Sequence, residues 1–288
     1  MTREEFQKLV EKGPVILDGA TGSNLRTMGM PVGVSSEIWV MEHPEVIQKL
    51  QRSYKEAGSQ IIYAPTFQAN RICMKGYGRQ DEITEMNTRL VKIAREALGR
   101  DTLIAGDLST VGQPLEPAGY LTYEEVYASY REQIQALSEA GVDLLIAETM
   151  MSEDETVACV DAALGVTDLP IMCSFSVESD GGLLYGGSVY DAAVSLEGMG
   201  ASAVGINCSC GPDQLVSVVK HLKELVQIPV IAKPNAGLPE IDERGNAHYS
   251  MDPETFAGHM QELVLAGADL IGGCCGTTPE YIRKLTGR

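Results

Sequence analysis

Short apolar runs alternate with longer runs of helical spacing along almost the whole 288-residue chain. In one of these units, apolar side chains recur at helical spacing over residues 46–57, Gly58 follows, and residues 59–63 are typical of a buried strand. The same Ala-Gly junction precedes a strand-like run at Ala140-Gly141 and at Ala266-Gly267. Glycine caps that lead from helices into parallel strands have this form.

Eight strand-then-helix units can be counted, which predicts an α/β protein with a parallel (β/α)8 TIM barrel, in a single domain over residues 1–288. A doubly wound sheet of eight strands would leave open edges and would not need such regularity. The predicted strands are residues 14–18, 59–63, 102–108, 142–147, 171–177, 201–207, 229–232 and 268–272. Residues 23–41, with Pro31 and Gly33, are predicted to be an irregular loop that forms a lid or pocket wall, and residues 234–249 are predicted to be a polar loop.

The charge balance restricts the possible partners. The chain has 22 Lys and Arg residues against 40 Asp and Glu residues, and this formal net charge of -18 repels phosphate backbones and anionic membranes. We therefore expect no nucleic-acid partner and no membrane partner. Met1 is followed by polar residues rather than a signal peptide, and the seven cysteines then indicate reduced thiols in a cytoplasmic protein.

Four of the seven cysteines lie in two glycine-rich stretches that follow predicted strands. The stretches are Gly-Ile-Asn-Cys-Ser-Cys-Gly-Pro at residues 205–212 and Gly-Gly-Cys-Cys-Gly-Thr-Thr-Pro at residues 272–279. The carboxyl ends of barrel strands face one mouth, so these cysteines are expected to meet there. The neighbouring glycines allow the backbone to leave strand geometry, so that adjacent cysteines can reach one ion. We predict a Zn²⁺ ion held by Cys208, Cys274 and Cys275.

A three-cysteine zinc site has a functional consequence. Structural zinc sites are usually closed by four protein ligands, whereas three ligands leave one position for a substrate. A thiol that enters this position loses its proton to the metal at neutral pH. Three thiolates also exceed the Zn²⁺ charge by one, which keeps the bound sulfur nucleophilic. This favours alkylation of sulfur over hydrolysis, for which histidine-rich zinc and an activated water are more usual.

Other interpretations of the cysteines remain open at this point. Cys210 as a fourth ligand would give a closed structural zinc or a four-cysteine iron–sulfur cluster, and the barrel would then be a binding module. The adjacent cysteines would alternatively form a redox pair. Cys73, Cys159 and Cys173 lie outside glycine-rich strand ends and are predicted to be buried and inert. None of the four histidines is assigned to the metal.

Two acids at predicted strand tips, Asp18 and Glu148, are candidates for binding an ammonium group. A carboxylate would then be bound by the exposed backbone amides of the following turn, Gly19, Ala20, Thr21 and Gly22. Together these groups suit an amino acid. The alternative is that Asp18 caps its own turn and Glu148 caps the next helix. Asn207 is predicted to anchor the loop that carries Cys208 through backbone hydrogen bonds.

The two cysteine stretches and Leu17-Asp18-Gly19-Ala20 together resemble the homocysteine S-methyltransferase family. This family includes the homocysteine-binding domain of cobalamin-dependent methionine synthase, betaine–homocysteine methyltransferase and S-methylmethionine-dependent enzymes. The resemblance spans nearly the whole chain, and residues 234–237 are similar to the methionine-synthase branch. It implies a zinc-bearing barrel that activates homocysteine as a thiolate, with ligands at Cys208, Cys274 and Cys275. It also implies that Asp18 and Glu148 bind the amino group.

The chain departs from the methionine-synthase branch at two places that border the pocket. Residues 64–67 read Ala-Pro-Thr-Phe where Thr-Asn-Thr-Phe is usual, which retains Thr66 as a predicted substrate-binding residue. Residues 36–39 read Ser-Glu-Ile-Trp where a Glu-Leu-Asn-like stretch is usual. These departures leave another thiol open as the methyl acceptor.

The expected reaction is attack of the zinc-bound homocysteine thiolate on an electrophilic methyl group, which gives methionine and contributes to methionine biosynthesis. No general base is needed once zinc has acidified the thiol. The chain shows no segment for binding cobalamin or a folate. The methyl donor is therefore expected to be a separate corrinoid protein that carries methylcobalamin, or a small molecule such as S-methylmethionine or another methylated sulfonium or ammonium compound.

Overall fold

The computed structural model describes residues 1–242 and 247–287. In chain order the strands are β1 (Val15–Ile16), β2 (Ile61–Tyr63), β3 (Leu103–Ser109), β4 (Leu144–Met150), β5 (Ile171–Phe175), β6 (Ala203–Asn207), β7 (Val230–Lys233), β8 (Pro239–Ile241), β9 (Ala247–Tyr249) and β10 (Leu270–Ile271). Strands β8 and β9 pair antiparallel with each other. The other eight form one parallel sheet in the order β1-β10-β7-β6-β5-β4-β3-β2.

The sheet curves into a nearly closed barrel, which confirms the predicted TIM-barrel fold. Its two outermost strands, β1 and β2, meet through Gln60. The Gln60 amide donates to the Ile16 carbonyl oxygen at 2.7 Å, and the Gln60 side-chain oxygen accepts from the Ile16 amide at 2.9 Å. This contact brings the carboxyl ends of all eight strands to one mouth.

Helices follow the strands and cover the outside of the barrel. They are α1 (Arg3–Val10), α2 (Gly22–Thr27), α3 (Ser36–Glu42), α4 (Pro44–Ala57), α5 (Arg71–Lys75), α6 (Ile83–Leu98), α7 (Tyr123–Ala140), α8 (Glu153–Val166), α9 (Val189–Met199), α10 (Val216–Leu225), α11 (Pro253–Ala266) and α12 (Pro279–Thr286). Gly58, Gly141 and Gly267 end three of them with φ of 108°, 84° and 114°, as the Ala-Gly junctions predicted. Over the described ranges, no helix is long and apolar enough to cross a lipid bilayer.

Two predictions about irregular segments were wrong in detail. Residues 23–41 were expected to be a loop, but they contain most of α2 and α3. Ser35 caps α3 by accepting a hydrogen bond from the Ile38 amide, and each helix is too short to show a clear period in the sequence. The polar segment after β7, also expected to be a loop, contains strands β8 and β9.

Alternate side chains of the barrel strands fill its interior, and their character changes along the barrel axis. The lower layers are apolar and are closed at the bottom by Phe6 of α1; they comprise Val15, Leu17, Ile61, Tyr63, Ala105, Leu144, Ile146, Met172, Ala203, Ile231 and Leu270. Two residues further along their strands, the inward positions become polar at Asp107, Glu148 and Lys233, and in β6 the polar residue Asn207 comes four residues after Ala203. The mouth is therefore a buried polar layer above an apolar core.

Candidate metal centre and substrate cavity

All three predicted metal ligands meet at the mouth of the barrel. The sulfur atoms of Cys208, Cys274 and Cys275 all lie within 4.8 Å of one another, and those of Cys208 and Cys275 are 3.5 Å apart. Two thiolates on one tetrahedral zinc ion are about 3.8 Å apart, because each Zn–S bond is about 2.3 Å long. The three sulfurs therefore fit one zinc ion. Cys210 is buried two residues away and is not in this group.

The backbone around these cysteines is shaped by left-handed residues and close packing. Cys208 has a φ of 47°, which is unusual for a residue with a side chain, and Gly276 has a φ of 83°. Gly272 and Gly273 instead allow neighbouring atoms to pack closely against the backbone. A Cβ on Gly272 would lie 2.6 Å from the Asp18 carbonyl oxygen, and one on Gly273 would clash with Thr277. Of these three glycines, only Gly276 has a positive φ.

The cysteine cluster is prepared to bind a cation. Hydrogen bonds from Cys208 and Cys274 lower the pKa of Cys275 to about 3, and a hydrogen bond from Tyr249 acts in the same direction. The pKa of Cys274 is raised to about 11: its bond with Cys208 lowers it, but its bond with Cys275 and burial outweigh that effect. Cys275 is therefore a much stronger acid than Cys274. Soft sulfur donors of this kind suit zinc.

A lysine that the sequence analysis missed lies at the centre of the mouth. The Lys233 Nζ atom is 3.1 Å from Asp18 Oδ1 and 3.8 Å from Glu148 Oε2, and it lies 4.5 Å above the ring centre of Tyr63. Burial opposes its charge, but Asp18 and Glu148 outweigh burial and raise the pKa of Lys233. The two acids predicted to bind a substrate ammonium group therefore already share a resident cation.

Asp107 is a third buried acid that the sequence analysis missed. It is 5% exposed, lines the cavity, and its Oδ1 atom has no hydrogen-bond partner. Burial and the nearby Glu148 raise the pKa of Asp107 well above its usual value. Burial likewise raises the pKa of Glu148 to about 7. Both Asp107 and Lys233 continue the inward-facing positions of their strands, and this alternation was the available signal.

The other predicted substrate-binding residues differ in what they contact. Gly19, Ala20 and Thr21 line the cavity, although the Ala20 amide donates to the Thr277 hydroxyl at 3.1 Å. The Thr66 hydroxyl bonds to the backbone of Asp107 and is not among the lining residues.

The side chain of Asn207 holds the residue after Glu148, while its backbone carbonyl oxygen accepts from the Ser209 hydroxyl in the Cys208 loop at 3.0 Å. Asn207 Oδ1 accepts from the Thr149 amide at 2.8 Å, and its Nδ2 atom donates to the Thr149 hydroxyl at 2.7 Å. Thr149 itself has a φ of 57°. Asn207 therefore fixes a strained strand end beside the cavity.

One cavity of about 330 Å³ joins the cysteines to the charged groups. Its inner surface includes Tyr63, Asp107, Glu148, Cys208, Lys233, Cys274 and Cys275. Its outer wall includes Arg26, Met30, Val34 and Glu37 from the segment predicted to form a pocket wall, and this prediction is confirmed. A small molecule in this cavity would contact sulfur on one side and carboxylates on the other.

The fold and the site together define a TIM barrel with a cluster of three cysteines, a candidate metal centre, at the carboxyl ends of its strands. The chain belongs to the homocysteine S-methyltransferase family, whose model matches residues 15–288, and this confirms the resemblance seen in the sequence. It is 30% identical to methionine synthase of Mycobacterium leprae over 93% of its own length and 24% of that protein. The chain thus spans about a quarter of the length of the curated relatives it matches.

Solved structures of similar length are also similar to this chain. The metallated form of the homocysteine methyltransferase MmuM from Escherichia coli has a TM-score of 0.82 and 26% identity, and the match covers 98% of this chain and 99% of that one. The oxidized form of the same protein has a TM-score of 0.79, with 96% of each chain covered.

Proposed function

We propose that this protein is an S-methyltransferase that transfers a methyl group to the thiol of homocysteine, giving methionine, with zinc held by Cys208, Cys274 and Cys275. The observation that carries the proposal is the convergence of three cysteine sulfurs on a cavity that is also lined by buried acids. Membership of the homocysteine S-methyltransferase family supports the acceptor, and the metallated MmuM structure supports a metal.

In this proposal the cysteines supply the charge that the metal needs and leave one coordination position for the acceptor. Zinc in this site would lower the pKa of an entering thiol so that it reacts as a thiolate at neutral pH. The chain's other residues bind and orient the acceptor. Buried carboxylates face its ammonium group, and the turn at Gly19–Gly22 lines the cavity near Arg26, where a carboxylate fits.

The chemical step then needs no general base from the protein. The homocysteine sulfur attacks the methyl carbon in line, a sulfur–carbon bond forms, and the bond between the methyl group and the donor breaks with its electron pair on the donor. The donor classes in the proposal are methylcobalamin on a separate corrinoid protein and small sulfonium or ammonium compounds. All seven cysteines are free thiols, which fits a reducing compartment such as the cytoplasm.

The test combines metal analysis with a donor screen. Purified protein is expected to contain one zinc per chain and to form methionine from homocysteine with at least one donor class, followed by mass spectrometry. Cys275→Ala is expected to lower zinc affinity by more than about 100-fold, since loss of an outer-shell partner alone costs 10- to 100-fold. Methionine formation should fall with the metal content. Methylation of a different thiol, or full activity without metal, would contradict the proposal.

A structural zinc or an iron–sulfur cluster in a binding module is the competing function from another class. The described positions of the sulfurs give it no support, because Cys210 lies outside the three-cysteine group that a fourth ligand would have to join. Visible absorption distinguishes the two, since iron–sulfur clusters absorb in the visible range and zinc thiolates do not.

A further inference from the structure

Tyr249, the last residue of β9, lies against the loop that carries two of the three cysteines. Its ring covers Gly276, because a Cβ atom on that glycine would be 2.3 Å from the Tyr249 Cγ atom and 2.6 Å from its Cδ2 atom. The Tyr249 hydroxyl group hydrogen-bonds to the sulfur of Cys275. Tyr249 is not among the residues that line the cavity, so it reaches this sulfur from outside the space that an acceptor would occupy.

Backbone hydrogen bonds fix the segment that follows Tyr249 to the cysteine loop. The Met251 amide donates to the Ala236 carbonyl oxygen at 3.2 Å, and the Ala236 amide donates to the Cys275 carbonyl oxygen at 2.9 Å. The Tyr281 hydroxyl donates to the Met251 carbonyl oxygen at 2.6 Å. The backbone and the ring packing therefore place Tyr249 beside Cys275, and the hydroxyl group is free to act on the sulfur.

A second sulfur of the cluster has a donor of its own. The Asn207 Nδ2 atom lies 3.9 Å from the Cys274 Sγ atom. The two donors come from different elements, since Asn207 ends β6 and Tyr249 ends β9. An amide N–H group is always a donor, and a phenol with an ordinary pKa of about 10 keeps its proton at neutral pH. Two of the three sulfurs thus each face a neutral donor.

The charge of a filled site explains what such donors do. Three thiolates exceed the charge of Zn²⁺ by one, and an acceptor thiolate would raise this excess to two. The same cavity is lined by the buried acids Asp107 and Glu148, which add no positive charge to offset it. An O–H or N–H group that points at a sulfur places the positive end of a dipole against the excess charge.

We propose that Tyr249 is a positioning residue of the metal centre, whose hydroxyl group orients Cys275 as a ligand and offsets part of the negative charge on the three sulfurs. The inference rests on the metal site of the proposed function and does not depend on methyl transfer. Tyr249 acts through Cys275 and touches no substrate. Contacts of this kind, one shell outside the ligands, strengthen metal binding.

The test compares Tyr249→Phe with the wild-type protein, because this substitution keeps the ring that packs on Gly276 and removes only the hydroxyl group. Zinc affinity, measured by competition with a coloured chelator, should fall by about 10-fold, as for other contacts to a metal ligand. In the cobalt-substituted protein, the sulfur-to-metal charge-transfer band should move to longer wavelength. A sulfur that has lost a hydrogen bond gives up electron density to the metal more easily.

Tyr281→Phe is the matched control. The Tyr281 hydroxyl donates to the Met251 backbone and not to a sulfur, so this variant should keep the wild-type zinc affinity and cobalt spectrum. Urea denaturation checks that both variants are folded. Wild-type affinity together with an unshifted band in Tyr249→Phe would overturn the inference. An equal shift in Tyr281→Phe would overturn it as well, since packing of the segment rather than the Tyr249 hydroxyl would then be responsible.

The outcomes also separate this inference from the proposed function. If Tyr249→Phe lowers zinc affinity and shifts the cobalt band but no donor yields methionine, the inference stands and the proposed transfer is wrong. If methionine forms and Tyr249→Phe binds metal as the wild type does, the function stands and the inference is wrong. If the wild-type protein binds neither zinc nor cobalt, both are overturned.

Discussion

The mouth of the barrel has two halves that are built in different ways. The sulfur half follows β6 and β10 and contains Cys208, Cys274 and Cys275 among closely packed glycines. The charged half comes from β1, β3, β4 and β7 and contains Asp18, Asp107, Glu148 and Lys233. The first half uses rare residues in an unusual backbone, whereas the second uses common residues in regular strand positions. The difference teaches that a cysteine cluster is visible in a sequence, whereas the pairing of Asp18 and Glu148 with Lys233 becomes visible only in the closed barrel.

The two halves also differ in what stabilises them. In the sulfur half, hydrogen bonds from the neighbouring thiols lower the pKa of Cys275. The charged half depends on Lys233, because without it the carboxylates would face one another in a site that excludes water. We therefore expect changes in the charged half to alter stability and specificity while metal binding by the sulfur half persists.

The largest stability effect is expected from Lys233→Met, which removes the resident cation of the charged half. Loss of one partner from a buried ion pair leaves an uncompensated charge and costs about 3–5 kcal/mol in the free energy of unfolding. Urea denaturation measures this loss, and metal analysis should still find one zinc per chain. The matched control is Lys223→Met, whose partly exposed pair with Asp269 should cost at most about 1 kcal/mol. Equal losses in the two variants would remove the distinction between the halves.

An intermediate effect is expected from Glu148→Gln, and it depends on pH. The pKa of Glu148 is raised from 4.5 to about 7 by burial, so between these values the folded protein keeps a proton that the unfolded chain has lost. Wild-type stability therefore falls as the pH rises through this window, relative to a variant that cannot titrate. At 1.36 kcal/mol per pKa unit, Glu148→Gln should gain about 3 kcal/mol on the wild type between pH 4.5 and pH 7.

Paired urea denaturation curves across this pH range measure the gain from Glu148→Gln. The comparison with the wild type cancels the titration of shared groups that do not interact with Glu148, whereas the pKa of Asp107, which Glu148 raises, changes with the substitution. A constant difference between the two proteins would show that Glu148 ionises in the folded protein as it does in the unfolded chain. The charged half would then be better solvated than its burial indicates.

The features that depend on periodicity and composition could be predicted from the sequence. The features that depend on closure of the barrel could not. Helix caps such as Gly58 act locally, so the strand–helix alternation and the barrel were accessible. The cysteines converge because strand ends converge, and that geometry is common to all such barrels. Lys233 and Asp107 were missed because each lies in an otherwise apolar strand, where only the inward direction of the side chain distinguishes it from a surface residue.

Thr66 shows what a motif position leaves out. A motif position predicts that it binds substrate, and the structure shows that its hydroxyl bonds to the backbone of Asp107. A sequence shows which residue type stands at each position, but it does not show which neighbours form hydrogen bonds with that residue. The ammonium-binding role predicted for Asp18 has the same weakness, because Lys233 lies 3.1 Å away and was not foreseen.

The smallest effect is expected from Cys210→Ala, and it tests where the sulfur half ends. Cys210 lies outside the group formed by the sulfurs of Cys208, Cys274 and Cys275, so its side chain is not positioned as a ligand. Its carbonyl oxygen accepts from the Asn235 amide at 3.1 Å, a backbone contact that the substitution keeps. The variant should retain one zinc and full methyl transfer, with a loss of about 1 kcal/mol in stability. Loss of zinc would instead mean that four cysteines close the site, and a closed site leaves no position for an acceptor thiol.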